Sequence, residues 1–263
     1  MIGAIVGDIV GSIYEFDNHR SKEFPLFSKD CFATDDSVMT LAIAKALVEW
    51  KRSGERLSYL AVKYMQEVGR PYPGCGYGGR FLQWMYSDDP KPYNSFGNGA
   101  AMRVSPVAYV AWSLQEAREL SRAVTAVTHN HPEGIKGAEA TAVATWMALN
   151  GRSKEEIGAH VKQNYYKLDF TIDEIRPTYR FNETCQDTVP QAIQAFLESD
   201  SFEDAIRTAI SVGGDSDTLA AITGAIAGAY YGVPDDIRGE AESYLDYTLY
   251  GIYHEFRQEF CNK

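Results

Sequence analysis

Histidine and cysteine are scarce in this 263-residue chain, with five of the first and four of the second. Cys31, Cys75, Cys185 and Cys261 lie far apart, with no CxxC pair and no zinc spacing. That argues against a thiolate zinc site and a disulfide scaffold. Free cysteines suit a reducing cytoplasm, so a cytoplasmic location is expected. Positive charge is short as well: 25 Lys and Arg face 36 Asp and Glu, for a net charge of -11. No basic stripe offers itself to a nucleic acid, whose binding rests on phosphate neutralisation, so no direct nucleic-acid partner is expected. Long apolar runs are also missing. The N-terminal MIGAIVGDIVGSIYEF lacks a basic leader, is interrupted by Asp8 and is closed by Glu15. It falls short of the ~20 apolar residues that span a bilayer, so a buried helix is expected there and no membrane or targeting segment. No Ser/Pro/Gly-rich linker divides the chain and no solenoid repeat runs through it. At 45% hydrophobic residues it can build a sizeable core, and one domain over residues 1–263 is expected.

What is present is helical pattern. Residues 2–16 carry Gly3, Gly7 and Gly11 four apart, a ridge along which a second backbone can approach closely. Residues 36–51 are strongly apolar and of helical length. Ser113–Glu116 and Ser153–Glu156 have the S-x-x-E form of capping boxes. Residues 133–149 end before Asn150-Gly151, a C-terminal stop signal. Further helices are expected at 188–198, 202–211, 216–231 and 235–258. Strand-like patches near 104–112 and 168–172 are isolated. The expected class is therefore all-α, with buried helices rich in small residues packed against one another.

Two acidic clusters carry the chemistry. Thr34-Asp35-Asp36 precedes the 36–51 helix, and Asp215-Ser216-Asp217-Thr218 follows two glycines at the start of the 216–231 helix. Taken singly, each is explained by an N-cap with acids at the positive end of a helix. Together they place two sets of carboxylates at the mouths of buried helices, where they repel and lose hydration unless a cation lies between them. Hard divalent ions take such oxygens, and two clusters suit a pair of ions about 3.5–4 Å apart. Glu15 is either a solvent-facing helix end or a third carboxylate reaching that centre. Asp8, inside an apolar helix, is expected to be a satisfied structural group.

The remaining candidates lie in loops. Residues 69–80 and 87–99 are rich in Gly, Pro and aromatics, as site-lining loops often are. Ser95-Phe96-Gly97-Asn98-Gly99 precedes a helix-like run, so its amides can receive phosphate, although such a turn is also common without one. In Thr128-His129-Asn130-His131-Pro132, His131 is expected to be a hydrogen-bonded turn residue and His129 to reach a sugar or phosphate oxygen.

Five stretches, GAIVGDIVGSIYE (3–15), TDDSVMT (34–40), YNSFGNGAAMR (93–103), THNHPEGIKGAEA (128–140) and GGDSDTLAAITGAIAGAYYG (213–232), together resemble the ADP-ribosylglycohydrolase family. The resemblance implies a compact, single-domain orthogonal helical bundle with a binuclear Mg2+ centre, Mn2+ being the other candidate ion, in a cleft for ADP-ribose. It implies metal ligation by Thr34, Asp35 and Asp36 from one side and by Asp215, Asp217 and Thr218 from the other. Glu15, Asp36 and Asp217 would serve the reaction. Ser95, Phe96, Gly97, Asn98, Gly99 and His129 would bind substrate. Phe96 stands where some relatives have tyrosine, so any role that needs a hydroxyl there is absent. The implied activity is removal of ADP-ribose from an Arg or Ser side chain of a modified protein, or from a small ADP-ribosyl ester, with ADP-ribose as product. The alternative is a non-catalytic ADP-ribose-binding or crystallin-like structural protein on the same fold. Other metal enzymes match only in fragments: residues 35–39 read DDSVM, without the third acid of a DDxxD motif, and no His-Asp dipeptide occurs.

Overall fold

The computed structural model describes residues 1–261; the last two residues of the expected 1–263 domain lie outside them. Helix follows helix along the chain: α1 (Ile2–Gly11), α2 (Asp35–Ser53), α3 (Leu57–Gly69), α4 (Gly79–Met85), α5 (Gly99–Met102), α6 (Pro106–Val110), α7 (Leu114–Thr125) and α8 (Pro132–Leu149). Then come α9 (Lys154–Asn164), α10 (Ile172–Ile175), α11 (Cys185–Glu198), α12 (Phe202–Ile210), α13 (Ser216–Tyr230), α14 (Asp235–Ser243) and α15 (Tyr247–Phe260). Among the described residues the β pairing is one isolated bridge between Gly97 and Thr184, so the fold is all-α as expected. No described helix is long and apolar enough to cross a membrane.

The small-residue ridge of α1 sets the centre of the molecule. A Cβ on Gly3 would lie 2.1 Å from the Gly224 carbonyl oxygen, one on Gly7 2.0 Å from that of Ala220, and one on Gly11 2.4 Å from the Asp217 Cα. Backbone therefore meets backbone along α1 and α13, which no residue with a side chain allows. α13 is in turn enclosed by α8, α11 and α12, while α2 packs against α3 and α15. The core that results is aliphatic and rich in alanine, with Ile5, Ile9, Met39, Leu41, Ile43 and Leu47 fully enclosed.

Several element ends differ from expectation for local reasons. α1 stops at Gly11, five residues early, and the Ser12 hydroxyl donates back to the Ile9 carbonyl at 2.8 Å. Glu15 consequently stands in the turn that follows rather than at a helix end. The single helix expected over 235–258 is two, because the Asp246 side chain caps α15 by accepting from the Leu249 amide at 2.9 Å. Ser153–Glu156 forms a full capping box. Ser113–Glu116 forms half of one: Ser113 caps α7, but the Glu116 carboxylate accepts from the Trp112 amide at 2.6 Å instead of the Ser113 amide. The strand-like patch at 104–112 contains α6, and 168–172 leads into α10.

Candidate metal centre and cavity

α1 and α2 meet through a carboxylate. Asp8 is fully buried. Its Oδ2 accepts from the amides of Thr34 (3.0 Å) and Ser37 (3.1 Å), and its Oδ1 from the Thr34 hydroxyl (2.5 Å). A side chain of one helix thus satisfies the open N-terminal amides of the next. Thr34 caps α2 as well, accepting from the Asp36 amide at 3.3 Å. This arrangement aims Asp36 inward, where it is 2% exposed. Asp36 Oδ2 accepts from the Thr218 hydroxyl at 3.3 Å, while its buried Oδ1 has no hydrogen-bond partner.

The opposite acids come from the start of α13. Gly213 and Gly214 take left-handed backbone angles, with φ of +77° and +73°, so that the chain turns sharply from α12 into α13. Asp215 Oδ2 accepts from the Asn98 side-chain amide at 2.7 Å, and Asp217 Oδ1 from the Thr218 amide at 2.9 Å. A side-chain hydrogen bond joins Asp215 to Asp217 and favours the proton on Asp215. Carboxylate oxygens of Asp8, Asp36 and Asp217 lie within 4.8 Å of one another, as do those of Glu15, Asp215 and Asp217. Asp217 belongs to both groups.

Electrostatically the cluster is unbalanced. Among the described residues none of these acids is ion-paired to a Lys, Arg or His. Burial, followed by the charges of Asp8 and Asp215, pushes Asp35 up to about 8. Burial also pushes Asp217 up to about 8, with Glu15 and Asp8 adding to it and the Asp215 hydrogen bond opposing it. Burial and then Asp215, Asp8 and Glu183 raise Glu15 to about 7. Asp8, raised by burial to about 6, is held down by its bonds to Ser37 and Thr34. Asp36 and Asp215 lie well above the ordinary carboxylate range, chiefly through burial and then Asp217. A buried set of oxygen donors with one oxygen unpartnered and no ion pair to a cationic side chain among the described residues fits a hard divalent cation.

The acids open onto a cavity of 380 Å³. Glu15, Asp35, Asp36, Asp215, Asp217 and Thr218 line one side, and Ser95, Phe96, Gly97, Asn98, Gly99 and His129 another. Thr34 is enclosed behind them, its hydroxyl directed at Asp8. The 95–99 turn is tied to the start of α11: the Asn98 amide donates to the Glu183 carbonyl (2.8 Å) and the Cys185 amide to that of Phe96 (2.9 Å). The Gly97 amide donates to Ser95 Oγ at 3.1 Å. Two of the amides expected to face a phosphate are therefore engaged within the protein. The helix that follows, α5, is a single turn of four residues, too short to carry a strong dipole. His131 caps α8, its Nδ1 accepting from the Glu133 amide at 3.1 Å, as expected for a turn residue.

The site also holds residues the sequence did not single out. Arg80, Phe81, Tyr93, Arg103 and Glu183 line the same cavity. Of these, Arg80 and Tyr93 lie in the two loops whose glycines, prolines and aromatics marked them as site-lining, and Arg103 closes the stretch YNSFGNGAAMR; Phe81 and Glu183 gave no signal. Asp8, expected to be structural, is indeed fully hydrogen-bonded, yet it also stands within one of the two acidic groups.

The family model for ADP-ribosylglycohydrolase matches residues 1–259. The chain is similar to the ADP-ribosylhydrolase ARH3 of Mus musculus, 26% identical with 97% of this chain and 91% of that protein covered. It is likewise similar to the ADP-ribosylarginine hydrolase Tri1 of Pseudomonas putida, 28% identical over 89% of this chain and 70% of the other. A solved structure titled ADP-ribosylglycohydrolase-related protein complex superposes with a TM-score of 0.67 over 97% of each chain at 22% identity, a likeness of fold.

Proposed function

The chain belongs to the ADP-ribosylglycohydrolase family, and from that premise we propose that it removes ADP-ribose from a modified protein side chain or a small ADP-ribosyl ester, using a pair of Mg2+ ions. It is an enzyme that hydrolyses ADP-ribose linkages, in keeping with the names of its relatives. The observation that carries the metal reading is the group of buried acids without a cationic partner, in which Asp36 Oδ1 finds no donor. Thr34, Asp35 and Asp36 would hold the ions from α2, and Asp215, Asp217 and Thr218 from α13, with Asp8 bracing α2 from behind. Bound there, Mg2+ or Mn2+ would neutralise the carboxylates, polarise ribose hydroxyls and make a water more acidic.

The chain's own residues supply the rest. Glu15 stands at the cavity wall with its carboxyl near the neutral range, suited to taking a proton from the water that attacks the ribose C1''. Asp36 and Asp217 face the positive charge that builds on that carbon as the bond to the acceptor breaks. The 95–99 turn and His129 form the wall against the diphosphate and distal ribose. A single domain over 1–263 and a cytoplasmic setting complete the proposal.

The test is a panel of ADP-ribosylated substrates that differ only in the acceptor atom, assayed with Mg2+ and with EDTA. Turnover should vanish in EDTA and return with Mg2+ or Mn2+, and the preferred acceptor names the linkage. Full turnover in EDTA would refute the metal reading, and no release of ADP-ribose from any substrate would refute the hydrolytic one.

A further inference from the structure

Among the described residues Arg103 is the largest of the side chains enclosed almost completely, at 1% exposure. No carboxylate lies within ion-pair distance of it among the described residues, and its guanidinium stands 5.4 Å from the centre of the Phe81 ring. Its Nη2 donates to Thr128 Oγ1 at 2.6 Å and lies 3.5 Å from His129 Nδ1. A guanidinium can only donate. Thr128 Oγ1 is thus an acceptor towards Arg103, and its own hydrogen is left for a second partner. Two acceptors are in reach, His129 Nδ1 at 2.7 Å and the Thr125 carbonyl at 3.4 Å. The first has the length of a sound hydrogen bond and the second does not. His129 Nδ1 therefore faces the Thr128 hydroxyl as donor, with the Arg103 guanidinium just beyond hydrogen-bond length, and must present its lone pair. In a neutral imidazole the proton is then on Nε2.

We propose that Arg103 is a positioning residue that, through Thr128, fixes His129 as the neutral Nε2–H tautomer and makes it a hydrogen-bond donor towards the Gly97–Gly99 turn of the cavity. The glycines agree with this. A Cβ at Gly97 or at Gly99 would lie 3.6 Å from His129 Nε2, so larger side chains there would cover the donor. The Gly97 and Asn98 amides are already engaged, by Ser95 Oγ and the Glu183 carbonyl, which leaves the imidazole N–H as a donor this wall can offer. The matching ligand atom is an oxygen that only accepts, as in a phosphate. That identification rests on the proposed ADP-ribose reading; the tautomer itself does not.

The groups around His129 favour the neutral ring. Arg103 at the end of α5 and Arg80 from α4 are cationic, Tyr93 lies with its ring 6.0 Å away, and α8 brings Gly134 against it. Burial first, then Arg103 and Arg80, hold its protonation well below the ordinary histidine range. Arg103, lowered by burial only to about 10, stays charged at neutral pH.

The test reads the ring directly. Long-range ¹⁵N–¹H spectra of the histidine-labelled protein, free of ADP-ribose, should show His129 as the Nε2–H tautomer, unchanged from about pH 5 to about pH 8, where ordinary imidazoles change charge. Its signals are assigned by their loss in His129→Gln. An Nδ1–H tautomer, or an imidazolium at the acid end, would overturn the proposal even if no variant folds. In Arg103→Met, and in Thr128→Val as the milder change, the ring should become a tautomer mixture, and ADP-ribose affinity should fall roughly tenfold, the loss of one such bond. Arg103→Met should also make that affinity vary with pH. A wild-type His129 signature in both folded variants would refute the role of the relay. Absence of ADP-ribose binding by the wild-type protein would count against the proposed function alone, because the spectra need no ligand.

Discussion

Replacing Asp217 with asparagine should make the metal-free protein more stable while removing its activity. Asp217 is 4% exposed and belongs to both acidic groups. Its carboxyl is pushed from 3.8 to about 8, mainly by burial. The folded chain therefore binds this proton more tightly than the unfolded one. Its full stability is present below about pH 3.8 and is lost as pH rises through about 8. The cost of keeping the acid there is on the order of 2 kcal/mol at about pH 5 and on the order of 5 kcal/mol at about pH 8. Asparagine does not ionise and can still accept from the Thr218 amide, but it gives up part of the Asp215 contact. The lost contact costs about 2 kcal/mol at either pH, so a net gain of about 3 kcal/mol remains at about pH 8, or roughly 6–12 °C in Tm for a chain of this size, and almost none at about pH 5. The assay is thermal unfolding in EDTA at the two pH values, with far-UV circular dichroism as the probe. Mg2+ at about 1,000 times its Kd should then reverse the order, since it stabilises the wild-type fold by about 4.1 kcal/mol and the variant binds it poorly. If Asp217→Asn unfolds below wild type in EDTA at about pH 8, or gains as much at about pH 5, the charge is not what the fold works against.

Glu15→Gln should lower kcat by roughly 10²–10⁴ with little change in Tm. Bound cations would pull the Glu15 carboxyl down from about 7, so the wild-type rate should climb with pH and level off at or below about 7, while the variant profile stays flat there. A wild-type profile in Glu15→Gln would remove this residue from the reaction. Gly7→Ala should both destabilise the fold by about 1–3 kcal/mol or more and weaken Mg2+ binding, because its Cβ would sit 2.0 Å from the Ala220 oxygen and force α1 off α13. Calorimetric titration that returns the wild-type Mg2+ affinity from folded Gly7→Ala would show that the ridge serves packing only.

The all-α class, the ridge of α1 and the two acidic clusters were legible because each depends on local pattern: glycines four apart, and acids placed directly before apolar runs. The roles of Asp8 and Arg103 were not, because both act across the chain. Asp8 closes the N-terminus of a helix that begins 27 residues later at Asp35, and periodicity within α1 carries no trace of that partner. Arg103 is defined by Thr128 and His129, which only folding brings beside it. The 95–99 turn was visible as glycine-rich sequence. Which of its amides face inward is decided by the pairing of Gly97 with Thr184, a contact that composition does not encode.

The spacing between α1 and α13 is fixed by backbone on backbone, at Gly3 with Gly224 and at Gly7 with Ala220. Such a contact has no rotamers to adjust, so heat, crowding or the exchange of outlying core residues cannot widen it gradually. Asp8 and Asp217 ride on these two helices, and their separation inherits that stiffness. In the proposed metal centre Asp8 sets the start of α2 and so the place of Asp36, and a gap to Asp217 fixed in this way should reject the larger Ca2+ by geometry; loosening the ridge should erode that selectivity before it erodes the fold.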